Sequence, residues 1–184
     1  MTNKSLVEFA SQVASTAMLA KKLACEDNNG PVDGPPILVY EYKNELGDNE
    51  SALGQLPMPT ASVVISDILE MALTRAFEEF GPPSRCALIS EVYVRQILDK
   101  SEQDNFRRGQ LRDTFVNNPQ SDVSEALSIY CFDSKGELVS AALTYSYDDR
   151  GVPVFRDVEP QFSSTAEGLV PDAARSFMTT FGAS

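Results

Sequence analysis

Apolar residues recur along residues 4–25 at spacings of three and four: Leu6, Phe9, Ala10, Val13, Ala17, Ala20 and Ala24. That period lines one face of a helix. The stripe is mostly alanine, so whatever it meets can approach closely. A broader stripe of Ile65, Ile68, Leu69, Ala72, Leu73, Ala76, Phe77 and Phe80 predicts a helix over 60–80. Thr60 is its expected N-cap, and Gly81 with the prolines that follow is its stop. Phe106, Leu111 and Phe115 form a thinner stripe that predicts a helix over 101–118. Gly109 weakens that helix by roughly 1 kcal/mol relative to alanine. Pro171 followed by Asp172 is a proline-first, acid-early start, which places a short C-terminal helix at 171–181.

Elsewhere the period shifts to two. The runs 37–42, 86–94, 126–132, 138–147 and 152–158 read as strands. The last three are separated by two four-residue turns, 133–136 and 148–151, each with Asp first and Gly fourth. This is type I turn chemistry closing a hairpin, and two such turns predict a three-stranded antiparallel meander. In 37–42 both faces lean apolar, Ile37, Val39 and Glu41 alternating with Leu38, Tyr40 and Tyr42. In 86–94 the core face is expected to carry Cys86, Leu88, Ser90, Val92 and Val94, leaving Glu91 and Tyr93 to point outward or line a shallow surface. The segment 26–59 is loop-rich around its one short strand, and its polar, acidic stretch 43–59 reads as a solvated loop.

The resulting order is α-β-α-β-α-β-β-β-α. It predicts one α+β domain over residues 1–184, with the helix-plus-sheet core in 60–158. The expected sheet is mainly antiparallel, of about five strands, with the helices packed chiefly on one face.

Composition bears mainly on partners. With 27 acidic against 15 basic residues the net charge is −12, which repels nucleic acid and anionic membrane. It favours a protein partner with a basic surface, or plain solubility. No apolar run approaches the ~18 residues that span a bilayer. The three cysteines lack the spacing of a disulfide framework or zinc site, and Cys86 and Cys131 lie in apolar runs, which fits a reducing, cytoplasmic setting. Glu8 and Gln12 interrupt the N-terminal apolar run, and Lys21 and Lys22 sit where a cleavage region is small or apolar, so an export signal is not expected. The chain has no histidine, which removes Ser-His and Cys-His nucleophile systems and most transition-metal sites. Glycines do not fall in a phosphate-loop spacing. Hence no catalytic set, metal site or cofactor is expected.

Two groups are candidates for binding. Tyr130, Phe132, Tyr145 and Tyr147 alternate along neighbouring strands. They form an interaction patch if the helices leave their face open, and are core if it is covered. Arg107, Arg108 and Arg112 are the local basic cluster, suited to an acidic protein surface or to pairing with Glu102, Asp104 and Asp113; direct nucleic-acid binding is disfavoured by the overall charge. The sequence therefore points to a non-catalytic protein-interaction module, a small acidic adaptor, inhibitor or assembly component of bacterial or phage type. The alternative is a carboxylate enzyme, with or without magnesium, acting on a small polar substrate. The candidate acids are Glu91, Asp148, Asp149, Asp157 and Glu159; such an enzyme requires Asp157, Glu159 or Glu91 to converge in a pocket, while Asp148 and Asp149 are turn formers.

Overall fold

Alternate residues of the central strands feed two separate cores. In the computed structural model, which describes residues 4–59, 64–95, 123–156, 159–166 and 169–182, the elements run α1 (Lys4–Asp27), β1 (Ile37–Lys43), β2 (Asn49–Gln55), α2 (Ile65–Phe80), β3 (Pro83–Arg95), β4 (Val123–Asp133), β5 (Leu138–Tyr147), β6 (Pro153–Phe155) and α3 (Leu169–Phe181). The six strands form one curled antiparallel sheet in the order β2-β1-β3-β4-β5-β6. On one face Ala87, Ile129, Cys131 and Val139 meet Leu6, Phe9, Ala10 and Val13 of α1. On the other, Cys86, Leu88, Phe132 and Leu138 meet Leu69 and Leu73 of α2 and Phe177 and Met178 of α3.

The expected α+β class with an antiparallel sheet is what the chain adopts. The sheet has six strands rather than about five, and the three described helices are divided between its faces. α2 and α3 share one face, their contact built around Phe77 edge-on to Phe177. α1 covers the other. The division follows from β3 and β4 being apolar at both parities: a sheet with two apolar faces needs a cover on each. Ala10 and Ala14, both fully buried, let α1 lie close to the strands. Its first turns are held by Arg85, whose Nε and Nη2 donate to the two oxygens of Glu41 at 2.8 and 2.7 Å. The same guanidinium donates to the Ser5 carbonyl and lies 4.6 Å from the Phe9 ring centre. No described helix is long and apolar enough to cross a membrane.

The stretch 43–59, expected to be a loop, instead turns at Asn44 and returns as β2, paired along the length of β1. The cause is a turn that occurs three times among the described residues. The amide of Gly47 donates to the carbonyl of Asn44, Gly136 to Asp133 and Gly151 to Asp148, each at 2.9 Å. In each the first side chain accepts from two further amides, those of Leu46 and Asp48 onto Asn44, of Lys135 and Glu137 onto Asp133, and of Arg150 and Val152 onto Asp148. The glycines have φ of 84°, 75° and 75°, in the left-handed region that a Cβ disfavours.

Boundaries shift elsewhere. α2 begins at Ile65, with Val64 as N-cap and no side-chain cap bond, while Thr60 lies outside the described residues. β6 is three residues long, and Asp157 lies outside the described residues, as do the helix expected at 101–118 and its Arg107, Arg108 and Arg112.

The turn glycines separate two costs of substitution. A Cβ at Gly47 would meet nothing within 4 Å, whereas one at Gly151 would sit 2.7 Å from Pro31 Cδ and 2.8 Å from Gly30 Cα. Gly47→Ala is expected to cost about 1–2 kcal/mol from backbone conformation alone. Gly151→Ala should cost about 1–3 kcal/mol more, because overpacking is added. Urea unfolding midpoints of the two variants check the difference.

Candidate functional site

The four rings singled out from the sequence do not make one patch. Tyr130 and Phe132 project toward α2 and α3, and Phe132 is completely buried. Tyr145 and Tyr147 project to the opposite face, under α1, where Tyr145 is 3% exposed and packs edge-on to Tyr147 and Phe155. The candidate acids are also apart in role. Asp148 shapes its turn and pairs with Arg150 at 3.2 Å, and Asp149 and Glu159 are exposed. Asp148 is held below the usual carboxylate range by the Val152 and Arg150 amides and the Arg150 guanidinium.

Of the two expectations for Glu91, pointing outward or lining a shallow surface, the structure shows the second: it lines a cavity beside the C-terminal half of α1. Lys21, only 6% exposed, reaches it with Nζ 2.7 Å from Oε2 and also donates to the Val32 carbonyl. The Gly34 amide donates to Oε1 at 2.9 Å, and the Tyr145 hydroxyl donates to Oε2 at 3.3 Å. The ammonium stands over the Tyr145 and Tyr147 rings, 5.4 and 5.8 Å from their centres. Burial opposes the charge on Lys21, but the Glu91 carboxylate and the neighbouring Tyr147 hydroxyl outweigh it and hold the pKa above 10.5. Burial, then the Glu91 charge, pushes the Tyr145 phenol well above the ordinary tyrosine range. The group joins α1, the 32–34 segment, β3 and β5. A cavity of about 240 Å³ opens beside it, lined in part by Ser90, Glu91, Glu125 and Tyr145. Both Glu91 oxygens accept protein donors, which ties this acid to α1, the 32–34 segment and β5.

The cysteines are likewise packing groups. All three are free and buried. Burial pushes the Cys131 thiol up to about 12 and raises Cys86 still further, leaving neither as a thiolate at neutral pH. Among the described residues, no group of three or more Cys, Asp or Glu side chains is placed to hold a metal ion.

The strongest candidate surface is one the sequence reading took for loop. β2 is the last strand of the sheet and, among the described residues, its outer edge is unpaired. The opposite edge is different: β6 is short, and Ser163 exchanges two 2.8 Å backbone bonds with Ser140 of β5. Register fixes which groups of β2 are free. The Asn44 amide bonds to the Asp48 carbonyl and the Leu56 amide to the Pro36 carbonyl, so Glu50, Ala52 and Gly54 bond inward to β1. Asn49, Ser51, Leu53 and Gln55 then turn their amides and carbonyls outward.

Beside this edge a groove of about 470 Å³ runs between β2 and α2, floored by Leu38, Tyr40 and Ala52 and walled by Ile68, Met71 and Ala76. Large apolar side chains are left exposed around it: Leu53 is 75% and Met71 61% exposed, with Leu46 and Met58 nearby in sequence. A Cβ on Gly54 would meet nothing within 4 Å. The rim is acidic. Glu70, Glu78, Glu79 and Asp67 are exposed on α2 beside Arg75, and Glu45, Asp48 and Glu50 on the hairpin beside Lys43. Glu50 is fixed by Asn44 Nδ2 at 2.7 Å and the Tyr42 hydroxyl at 3.0 Å, which lower its pKa, and Tyr42 in turn stacks on Phe80.

Comparison with protein-family models, curated proteins and solved structures returned no match to this chain.

The Lys21–Glu91 pair predicts a coupled stability effect. Lys21→Ala leaves Glu91 without its counter-charge, and should cost about 3 kcal/mol, the lower end for breaking a buried pair, since Glu91 keeps some solvent access. Adding Glu91→Leu should recover a large part of that loss. The raised pKa values of Lys21 and Tyr145 add stability that is complete below their ordinary values near 10 and is lost as pH rises through the folded-state values. Denaturant titrations from neutral pH to beyond pH ~10 should therefore show an alkaline decline in wild type. That decline should be shallower in Lys21→Met.

Proposed function

We propose that the protein is a non-catalytic protein-interaction module that holds its partner at the β2 edge and the groove between β2 and α2. The observation that carries this reading is the coincidence, among the described residues, of an unpaired strand edge with an apolar groove beside it, Met71 being exposed at the groove and Leu53 on the opposite face of the strand. Soluble proteins blunt exposed edges with charge, proline or short strands. Here β6 is short and begins at the buried Pro153, while β2 runs seven residues without proline and exposes Leu53. An edge kept open beside an apolar groove fits a surface that another chain completes. Within this reading the rings of Tyr145 and Phe132 support the scaffold. The buried free thiols fit a cytoplasmic adaptor, inhibitor or assembly component of bacterial or phage type.

The test is site-specific photocrosslinking in the native cell. A photoreactive residue at Leu53 or Met71 should give one discrete, stoichiometric protein adduct, and the same residue at the exposed Ser15 of α1 should give none. Equal labelling at all three positions, or none at any, would contradict the proposal.

A further inference from the structure

Resting on that interaction reading, the geometry points to the kind of partner: we infer that β2 takes an extended segment as a seventh strand, with alternate apolar residues in the groove and lysine or arginine against its rim. Three independent features select this occupant. The outward groups of Asn49, Ser51, Leu53 and Gln55 repeat every second residue, which is the spacing of a strand and not of a helix. Side chains of an added strand alternate between faces. Those on the α2 side enter the groove over Gly54, where no side chain intervenes, against Ala52, Met71 and Ala76. Those on the far side lie beside Leu53, whose cross-strand neighbour Val39 is directed to the α1 face.

The third feature is charge. On the exposed face of α2, Asp67, Glu70, Glu78 and Glu79 outnumber Arg75, and on the hairpin Glu45, Asp48 and Glu50 outnumber Lys43. A second copy of the chain would bring the same acidic rim and another net charge of −12, so like-charge repulsion opposes β2 pairing with β2. A basic segment would meet complementary charge at the hairpin, where Glu45, Asp48 and Glu50 stand, and at Glu79 and the neighbouring acids of α2. Strand addition would supply main-chain hydrogen bonds for affinity, the groove would select apolar residues at alternate positions, and the rim would speed encounter.

The experiment is selection from a displayed library of random linear peptides on the full chain, followed by titration of the enriched peptides in synthetic form. Enriched sequences should alternate apolar residues with Lys or Arg, and their affinity should fall as salt is raised. N-methylation at every second residue should abolish binding in one parity and be tolerated in the other. Ser51→Pro removes an outward amide that β1 does not use, a change an edge strand accommodates. It should leave the melting temperature near wild type and weaken peptide binding by about tenfold or more. Gly54→Leu should block the groove with similar effect.

Apolar residues at helical spacing in the enriched peptides, acidic enrichment, no enrichment, or indifference to both N-methyl parities would overturn the inference. So would a wild-type dimer that Ser51→Pro converts to monomer, since the occupant would then be a second copy. The two readings fail separately. Crosslinking at Leu53 and Met71 with unimpaired binding by Ser51→Pro leaves an interaction surface that does not work by strand addition. Absence of any crosslink removes the surface itself.

Discussion

Along the β3–β4 ladder each successive residue sends its side chain to a different core, Ile129 and Cys131 toward α1 and Tyr130 and Phe132 toward α2 and α3. Both parities are apolar, so neither face of this pair can be left to water, and the arrangement of the helices follows. At ~25 cal/mol per Å² of apolar surface, burying a side chain such as Leu88 or Ile129 is worth about 1.5–3 kcal/mol. That scale exceeds what a surface ion pair can add. The charged groups admitted beneath α1 are accordingly paired, whereas the buried Tyr147 hydroxyl has no hydrogen-bond partner among the described residues. Glu41 with Arg85 secures the first turns of the helix, and Glu91 with Lys21 secures its later half. Such pairs fix where the helix sits more than they stabilise it, because desolvation offsets much of their attraction.

Once both faces are covered, the remaining choice lies at the sheet edges, and the chain treats them differently. β5 is closed off by a short strand and by the backbone of Ser163. β1 is covered by β2, and nothing among the described residues covers β2. The open edge therefore stands at the end of a rigid scaffold, beside α2, which is itself pinned by α3. Such a geometry suits recognition by main-chain pairing, since the receiving strand is already ordered and little entropy is lost on its side.

Much of the fold was legible in the sequence, and the exceptions have physical causes. The helices at α1, α2 and α3 and the meander β4–β6 were marked by period and turn residues. The two apolar-leaning parities of β1 left open burial of both faces or one face waiting for a partner, and the strand is buried at both parities. β2 was missed because Asn49–Gln55 has neither alternation nor β-rich composition; it is a strand through pairing with β1 and through its turn. The signal was present, however, in Asn44 and Gly47, which repeat the Asp133–Gly136 and Asp148–Gly151 spacing with Asn in place of Asp. The pairing of Glu91 with Lys21 was not legible, because the two lie 70 residues apart on a strand and a helix, a contact that no local pattern records. The aromatic residues were legible as strand positions but not as core, because alternation alone cannot say which faces are covered.

Among the described residues, β2 presents every second amide to solvent. Amide hydrogen exchange of the free protein, read residue by residue by NMR, tests it most directly. Ala52 and Gly54, bonded to β1, should exchange slowly, while Ser51 and Leu53 should exchange at close to the unprotected rate. Slow exchange at all four amides would mean that the edge is already occupied, and fast exchange at all four that the β1–β2 ladder does not persist in solution; either result would contradict the account.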